Sequence, residues 1–217
     1  MWSVAESETE RTDWPVSPAA PWPANVRATI WWHRARSSDF APAGAKTLPI
    51  TMCMVVDYMT SPVGPYREIL ASPVLRRDVG KIPRMSVPFI AVDSATSVHG
   101  GRTNWHLPKV LAEFDGDVLN KAGVSGGDWS VRTGSRGFGP AFPMRGSIGF
   151  AQPVPGGSAL GVASLKGKAR LARVQVDASG PTLDRWMPSG TYFGLQIVSG
   201  SMRTGEARLV PWRQSFS

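Results

Sequence analysis

Lys109 is the residue whose surroundings could give it chemistry. It lies in Asn104-Trp105-His106-Leu107-Pro108-Lys109-Val110-Leu111-Ala112, a run whose only other polar side chains are Asn104 and His106. Apolar neighbours strip water from an ammonium, disfavour the charged form and leave a nucleophilic amine, the group that condenses with a ketone or aldehyde. A lysine so placed can instead thread its methylenes along apolar surface and carry its charge out to solvent. The run alone leaves both readings open. Glu68, between Tyr66 and Ile69-Leu70, is a second charge that an extended segment turns inward, and a carboxylate there could position a substrate or carry protons.

Other residues carry weaker signals. His106, three before Lys109, is a candidate general base or a packed ring. Cys53, the sole cysteine, has no histidine or basic residue beside it in sequence and reads as a small buried hydrophobe rather than a nucleophile. Trp105, Tyr66 and the set Met52, Met54 and Met59 suit either an apolar pocket or ordinary core. The sequence holds no Gly-rich phosphate loop closing in Lys-Ser/Thr, no Gly-x-Ser-x-Gly and no His-Glu-x-x-His. His33, His99 and His106 are too scattered to suggest a metal site. Imine chemistry on a lysine needs no metal or organic cofactor, and none is expected.

The elements that must hold these residues are strands. The 217 residues suit one domain with a sizeable apolar core. Nineteen Pro and 23 Gly, scattered along the chain, leave few windows long enough for helices. The fold class is mainly β. Ala28–Trp32, Thr51–Met59, Val87–Val92 and Gly194–Ser199 are rich in β-branched, aromatic and Met residues, and 169–177 alternates apolar with polar. Pro108–Phe114 is expected to be one short helix, with Pro in its first turn. Gly123–Gly161, Gly-rich and nearly free of acids, is expected to form two hairpins with long loops.

The formal charge of +8 comes from dispersed residues, mostly Arg, with no basic run longer than Arg76-Arg77. That is a solvated basic surface or a bias towards anionic small molecules, and no nucleic-acid partner is expected. No apolar stretch approaches the ~20 residues of a membrane span, and residues 1–23 lack the order of a secretory signal. One cysteine and no signal make a cytoplasmic location the expectation. Residues 1–24, rich in Ser, Glu, Pro and Ala, are expected as an extended N-terminal arm.

Two segments bear a family resemblance. Ser61-Pro62-Val63-Gly64-Pro65-Tyr66-Arg67-Glu68, followed after about forty residues by Gly101-Arg102-Thr103-Asn104-Trp105-His106-Leu107-Pro108-Lys109, resembles the two site-forming segments of acetoacetate decarboxylase and its relatives. The likeness rests on Gly-x-Tyr-x-Glu, on the Gly-Arg opening the second segment and on the Pro-Lys closing it. It is strongest over 55–114, extends over 26–208, and is absent in the arm.

The resemblance implies an antiparallel, cone-like β-barrel over 25–217 with one or two short helices and an enclosed ligand pocket, in a homo-oligomer. It implies that Lys109 forms a Schiff base with a β-keto acid, and that the protonated imine draws electrons as carbon dioxide leaves. Glu68 matches the glutamate near the family's lysine. Tyr66, Trp105, His106 and Arg102 fall in the two site segments, and Arg27, with Arg34 behind it, is the candidate for holding a substrate carboxylate. Two departures stand out. Val110 replaces a second lysine, and Cys53 falls where a second acidic residue is expected. Altered chemistry on the same fold is therefore an alternative: an aldolase, dehydratase or cyclase acting on a polyketide-like substrate, or a non-catalytic binder of apolar molecules.

Overall fold

The computed structural model describes residues 14–36, 41, 45–78, 82–181, 183 and 186–211. These residues are mainly strand: β1 Trp22–Arg34, β2 Thr47–Leu48, β3 Ile50–Thr60, β4 Tyr66–Ser72, β5 Leu75–Arg76, β6 Arg84–Met85, β7 Phe89–Val92, β8 Lys109–Leu111, β9 Glu113–Gly116, β10 Lys121–Gly126, β11 Trp129–Val154, β12 Gly157–Ser179, β13 Gly190–Thr204 and β14 Arg208–Pro211. The described helix is α1, Ala95–Trp105. It is too short to cross a membrane, and no other described helix crosses one.

The strands form one sheet in the order β2-β5-β6-β11-β12-β13-β1-β3-β4-β7-β8. Since only Pro49 separates β2 from β3, the path from β2 round to β3 starts and ends on one stretch of chain. The sheet is mixed rather than wholly antiparallel. β6 runs parallel to β11 and β7 parallel to β8. The second pair needs a crossover, because parallel neighbours cannot be joined by a tight turn, and α1 supplies it.

That crossover corrects the helix expected at Pro108–Phe114. The residues after Pro108 are β8 and β9, and the helix lies just before them. Its sequence hides it: Thr, Ser, Val, His and Gly100-Gly101 are poor helix formers. Its ends are well made instead. Ser94 caps the start by accepting from Ser97 N–H at 3.2 Å. His106 closes the end in the left-handed region at φ 54°, with its N–H on the Arg102 carbonyl at 3.1 Å. Gly123–Gly161 does hold two hairpins, but strands replace the expected long loops. β11 runs for 26 residues and turns into β12 through Pro155 and Gly156, whose φ of 73° suits glycine.

Side-chain alternation divides the core into two clusters. One contains Trp22, Met54, Tyr58, Tyr66, Leu70, Ile90, Trp105 and Phe150. The other contains Trp31, Cys53, Val55, Ile69, Ala91 and Val110. β1 begins inside the segment expected as an arm, with Trp22 buried. Before it, Trp14 lies under the Arg102 guanidinium at 5.2 Å, Ser17 N–H donates to His99 Nδ1 at 3.2 Å, and Asn104 Nδ2 donates to the Pro18 carbonyl at 3.1 Å. The arm's residues 1–13 lie outside the described residues.

Candidate active site

Three neighbouring strands and the crossover helix converge on Lys109. β4 pairs with β7 and β7 with β8, so that Leu70, Ile90 and Lys109 form one cross-sheet row while Glu68 stands opposite Val92. Directly paired residues share a face. Lys109 and Glu68 therefore both reach the first cluster, where they are 2 % and 4 % exposed. Lys109 Nζ donates to Glu68 Oε2 at 2.7 Å and to Ser97 Oγ at 2.9 Å. It also stands 5.1 Å from the centre of the Tyr66 ring.

Glu68 has a further partner. The Tyr58 hydroxyl donates to its Oε1 at 3.1 Å, and the Tyr58 and Tyr66 rings stack with centroids 4.2 Å apart. Burial, and next the Glu68 charge, holds both phenols well above their ordinary pKa. They are neutral hydrogen-bond donors through the physiological range.

Above these groups is a cavity of about 90 Å³, walled by Met54, Leu70, Met85, Ile90, Trp105 and Phe150 among others. Pockets for drug-sized ligands run to roughly 300–1,000 Å³, so this one fits a substrate of a few carbons. The half-buried Ser61, Leu107 and Thr204 also line it. Among the described residues no group of three or more His, Cys, Asp and Glu could hold a metal ion.

The residues singled out in the sequence separate in space. Lys109, Glu68, Tyr66 and Trp105 line the cavity. Trp105 is fixed by its Nε1–H on the Gly205 carbonyl at 2.7 Å and by an edge contact with Trp22. Met54 is part of the wall, whereas Met52 and Met59 are not. Arg102 is not in the cavity either. Its Nε and Nη2 donate to the Lys109 carbonyl at 2.9 and 2.7 Å, so it positions the backbone of the lysine.

Three expectations are displaced. His106 is exposed and caps α1, lining a surface groove with Pro108 rather than the cavity, because the left-handed turn that ends the helix carries it outward. Arg27 is outside the cavity, with Nη2 on Asp57 at 2.6 Å and Nη1 3.7 Å from Asp117, contacts that hold its pKa up. Arg34 is exposed. Cys53 lies in the other cluster, fully buried with Sγ 3.5 Å from the Trp186 carbonyl; burial pushes its thiol far up. Val110 follows the same logic. Next to Lys109 on β8, it points to the opposite cluster, so no side chain at 110 shares the cavity.

Ser97, Gly101 and Tyr58 complete the site beyond the residues that the sequence singles out for chemistry. Ser97 and Gly101 are four apart on one face of α1, a pattern visible only once a helix is placed at 95–105. Tyr58 follows Met54 and Val56 by the strand period of two.

No protein-family model and no curated protein matches this sequence. Solved structures do match. Acetoacetate decarboxylase from Legionella pneumophila superposes with a TM-score of 0.68 at 14 % identity, over 97 % of this chain and 96 % of that one. A second acetoacetate decarboxylase structure gives 0.70 at 12 % identity, over 98 % and 100 %. The enduracididine biosynthesis enzyme MppR, complexed with pyruvate, gives 0.59 at 14 % identity, over 88 % and 91 %. At these identities the likeness is one of fold: mainly β, in the acetoacetate decarboxylase manner.

Proposed function

We propose that this chain, which carries the acetoacetate decarboxylase fold, is an enzyme that joins Lys109 to a small oxo compound as a Schiff base, with Glu68 moving the protons. The observation that carries this reading is a lysine amine 2.7 Å from a carboxylate at the floor of an apolar cavity. A buried ion pair is a poor stabilising device, since hydrophobic replacements often match or exceed it. Its presence in a cavity wall supports use in a reaction over use in packing, and so weighs against a simple binder of apolar ligands. The cavity volume weighs against a polyketide-like substrate.

The chemistry follows from the contacts. The ammonium hands a proton to Glu68, and the freed amine attacks the carbonyl carbon. One of the two protons left on the attacking nitrogen passes to the carbonyl oxygen and Glu68 returns its own, so the oxygen leaves as water and an iminium remains. A bond at the adjacent carbon then gives its electron pair to the iminium to form an enamine, releasing carbon dioxide from a β-keto acid or a proton from a simple ketone. Protonation of that carbon and hydrolysis by water restore the amine. The Tyr58 hydroxyl holds Glu68 by its other oxygen, leaving Oε2 for this traffic. The imine itself is the electron sink. The complex of MppR with pyruvate puts a small carbonyl compound, there an oxo acid, on this fold in that protein, which supports a carbonyl substrate here and does not bear on an acid group.

Imine formation expels the carbonyl oxygen as water, so the enzyme should exchange it with solvent. In H₂¹⁸O, a small ketone is expected to gain ¹⁸O far faster with the native protein than with Lys109→Met. Equal rates would remove Lys109 from the reaction.

A further inference from the structure

The charges that line the cavity, among the described residues, are Glu68 and Lys109, and they neutralise each other. Every other described lining side chain is apolar or a neutral hydroxyl. The arginine expected to take a substrate carboxylate, Arg27, is outside the cavity and paired with Asp57 and Asp117, and Arg102 is committed to the Lys109 carbonyl. A carboxylate brought in with the substrate would make a neutral cavity net negative. It would meet apolar walls at Met54, Leu70, Ile90 and Phe150, and an anion buried without a counter-charge costs several kcal/mol. The iminium formed on Lys109 offers it little relief, because Glu68, 2.7 Å from Nζ, already stands as that cation's counter-ion.

We propose that the substrate is a neutral, apolar ketone or aldehyde of a few carbons and not an oxo acid. This rests on the Schiff-base reading and narrows it. With no carboxylate to lose, the bond broken at the adjacent carbon is a C–H or C–C bond. Glu68, unprotonated once water has left, takes the C–H proton as the electron pair moves into the enamine, and returns it to the same carbon or leaves the enamine to attack a second carbonyl. No oxidant or reductant is needed.

The test compares two ketones of one shape: 4-oxopentanoate and 5-methylhexan-2-one, in which an isopropyl group replaces the carboxylate. Exchange of the carbonyl oxygen with H₂¹⁸O is followed at equal, sub-saturating concentrations with native protein and with Lys109→Met. The expected result is Lys109-dependent exchange at least about tenfold faster for the neutral ketone. Faster or equal exchange of the oxo acid, with both rates lost in Lys109→Met, would overturn this substrate assignment and leave the Schiff base standing. Exchange of neither above the Lys109→Met level would sink the Schiff-base reading and the assignment with it.

Discussion

The Lys109 side chain fills the space that a side chain at Gly101 would take. A Cβ at 101 would fall 2.7 Å from Lys109 Cε and 2.8 Å from Cγ, and closer still to Cδ. The lysine runs to Glu68 across the face of α1 at Gly101, where no side chain stands in its way. The Gly-Arg pair thus has two structural tasks: Gly101 clears the path of the side chain, and Arg102 grips the carbonyl of the same lysine.

Gly101→Ala should therefore leave the sheet intact and displace Nζ from Glu68 and Ser97. A misplacement of about 1 Å at a reacting group commonly lowers rates by about a hundredfold, and a loss of that order in oxygen exchange, with an unchanged circular dichroism spectrum, is expected. Undiminished exchange would show that the lysine has another route.

The buried pair should appear in stability measurements as a coupling. Glu68→Leu leaves the Lys109 ammonium buried without its carboxylate, and such a loss costs about 3–5 kcal/mol. Glu68→Leu with Lys109→Met removes both charges and should recover most of that stability in urea unfolding. A double variant as unstable as the single one would mean the two residues are not coupled.

Cys53 should be inert. Its thiol is fully buried and its pKa pushed far up by burial, so a native protein should resist alkylation by iodoacetamide at pH 8 and react only on unfolding. Cys53→Glu, the change that sequence counting would offer to restore a second acid, sets an unpaired carboxylate in the cluster opposite the cavity. It should destabilise the fold and bring no gain in decarboxylation of acetoacetate.

The stacked tyrosines predict a loss of stability at alkaline pH. Their folded pKa values are raised, by burial first. Below the unfolded value of about 10 the phenols are protonated in both states and contribute no pH dependence. Above it the unfolded chain ionises first and holds fewer protons, so stability falls as pH rises until the folded phenols also ionise. Urea midpoints measured from pH 8 to 11.5 should drop above pH 10, and more gently in Tyr58→Phe.

The two charged partners were legible in the sequence because each is an ionisable residue in an apolar run, and strand alternation turned Glu68 inward as expected. What was not legible depended on the crossover. α1 is written in residues that disfavour helix, so its cap at Ser94 and the Ser97 contact had no local signature, and Gly101 stood out only within the Gly-Arg pair of the resemblance, without the packing reason for it. The same shift moved His106 from beside the lysine to the outside of a cap. Ungapped counting back from Glu68 put Cys53 at the site, but strand alternation gives the cavity face to Met54 and Tyr58. A lysine directly after Lys109 looks close in sequence and is on the far side of the sheet in space.

Reductive trapping tests the central claim most directly. The protein is incubated with a panel of small ketones and oxo acids, treated with borohydride, digested and mapped by mass spectrometry. A secondary-amine adduct confined to Lys109, and absent in Lys109→Met, is the predicted result. Folded protein that yields no adduct with any carbonyl compound, or one spread over the exposed lysines with Lys109 unlabelled, would contradict the account.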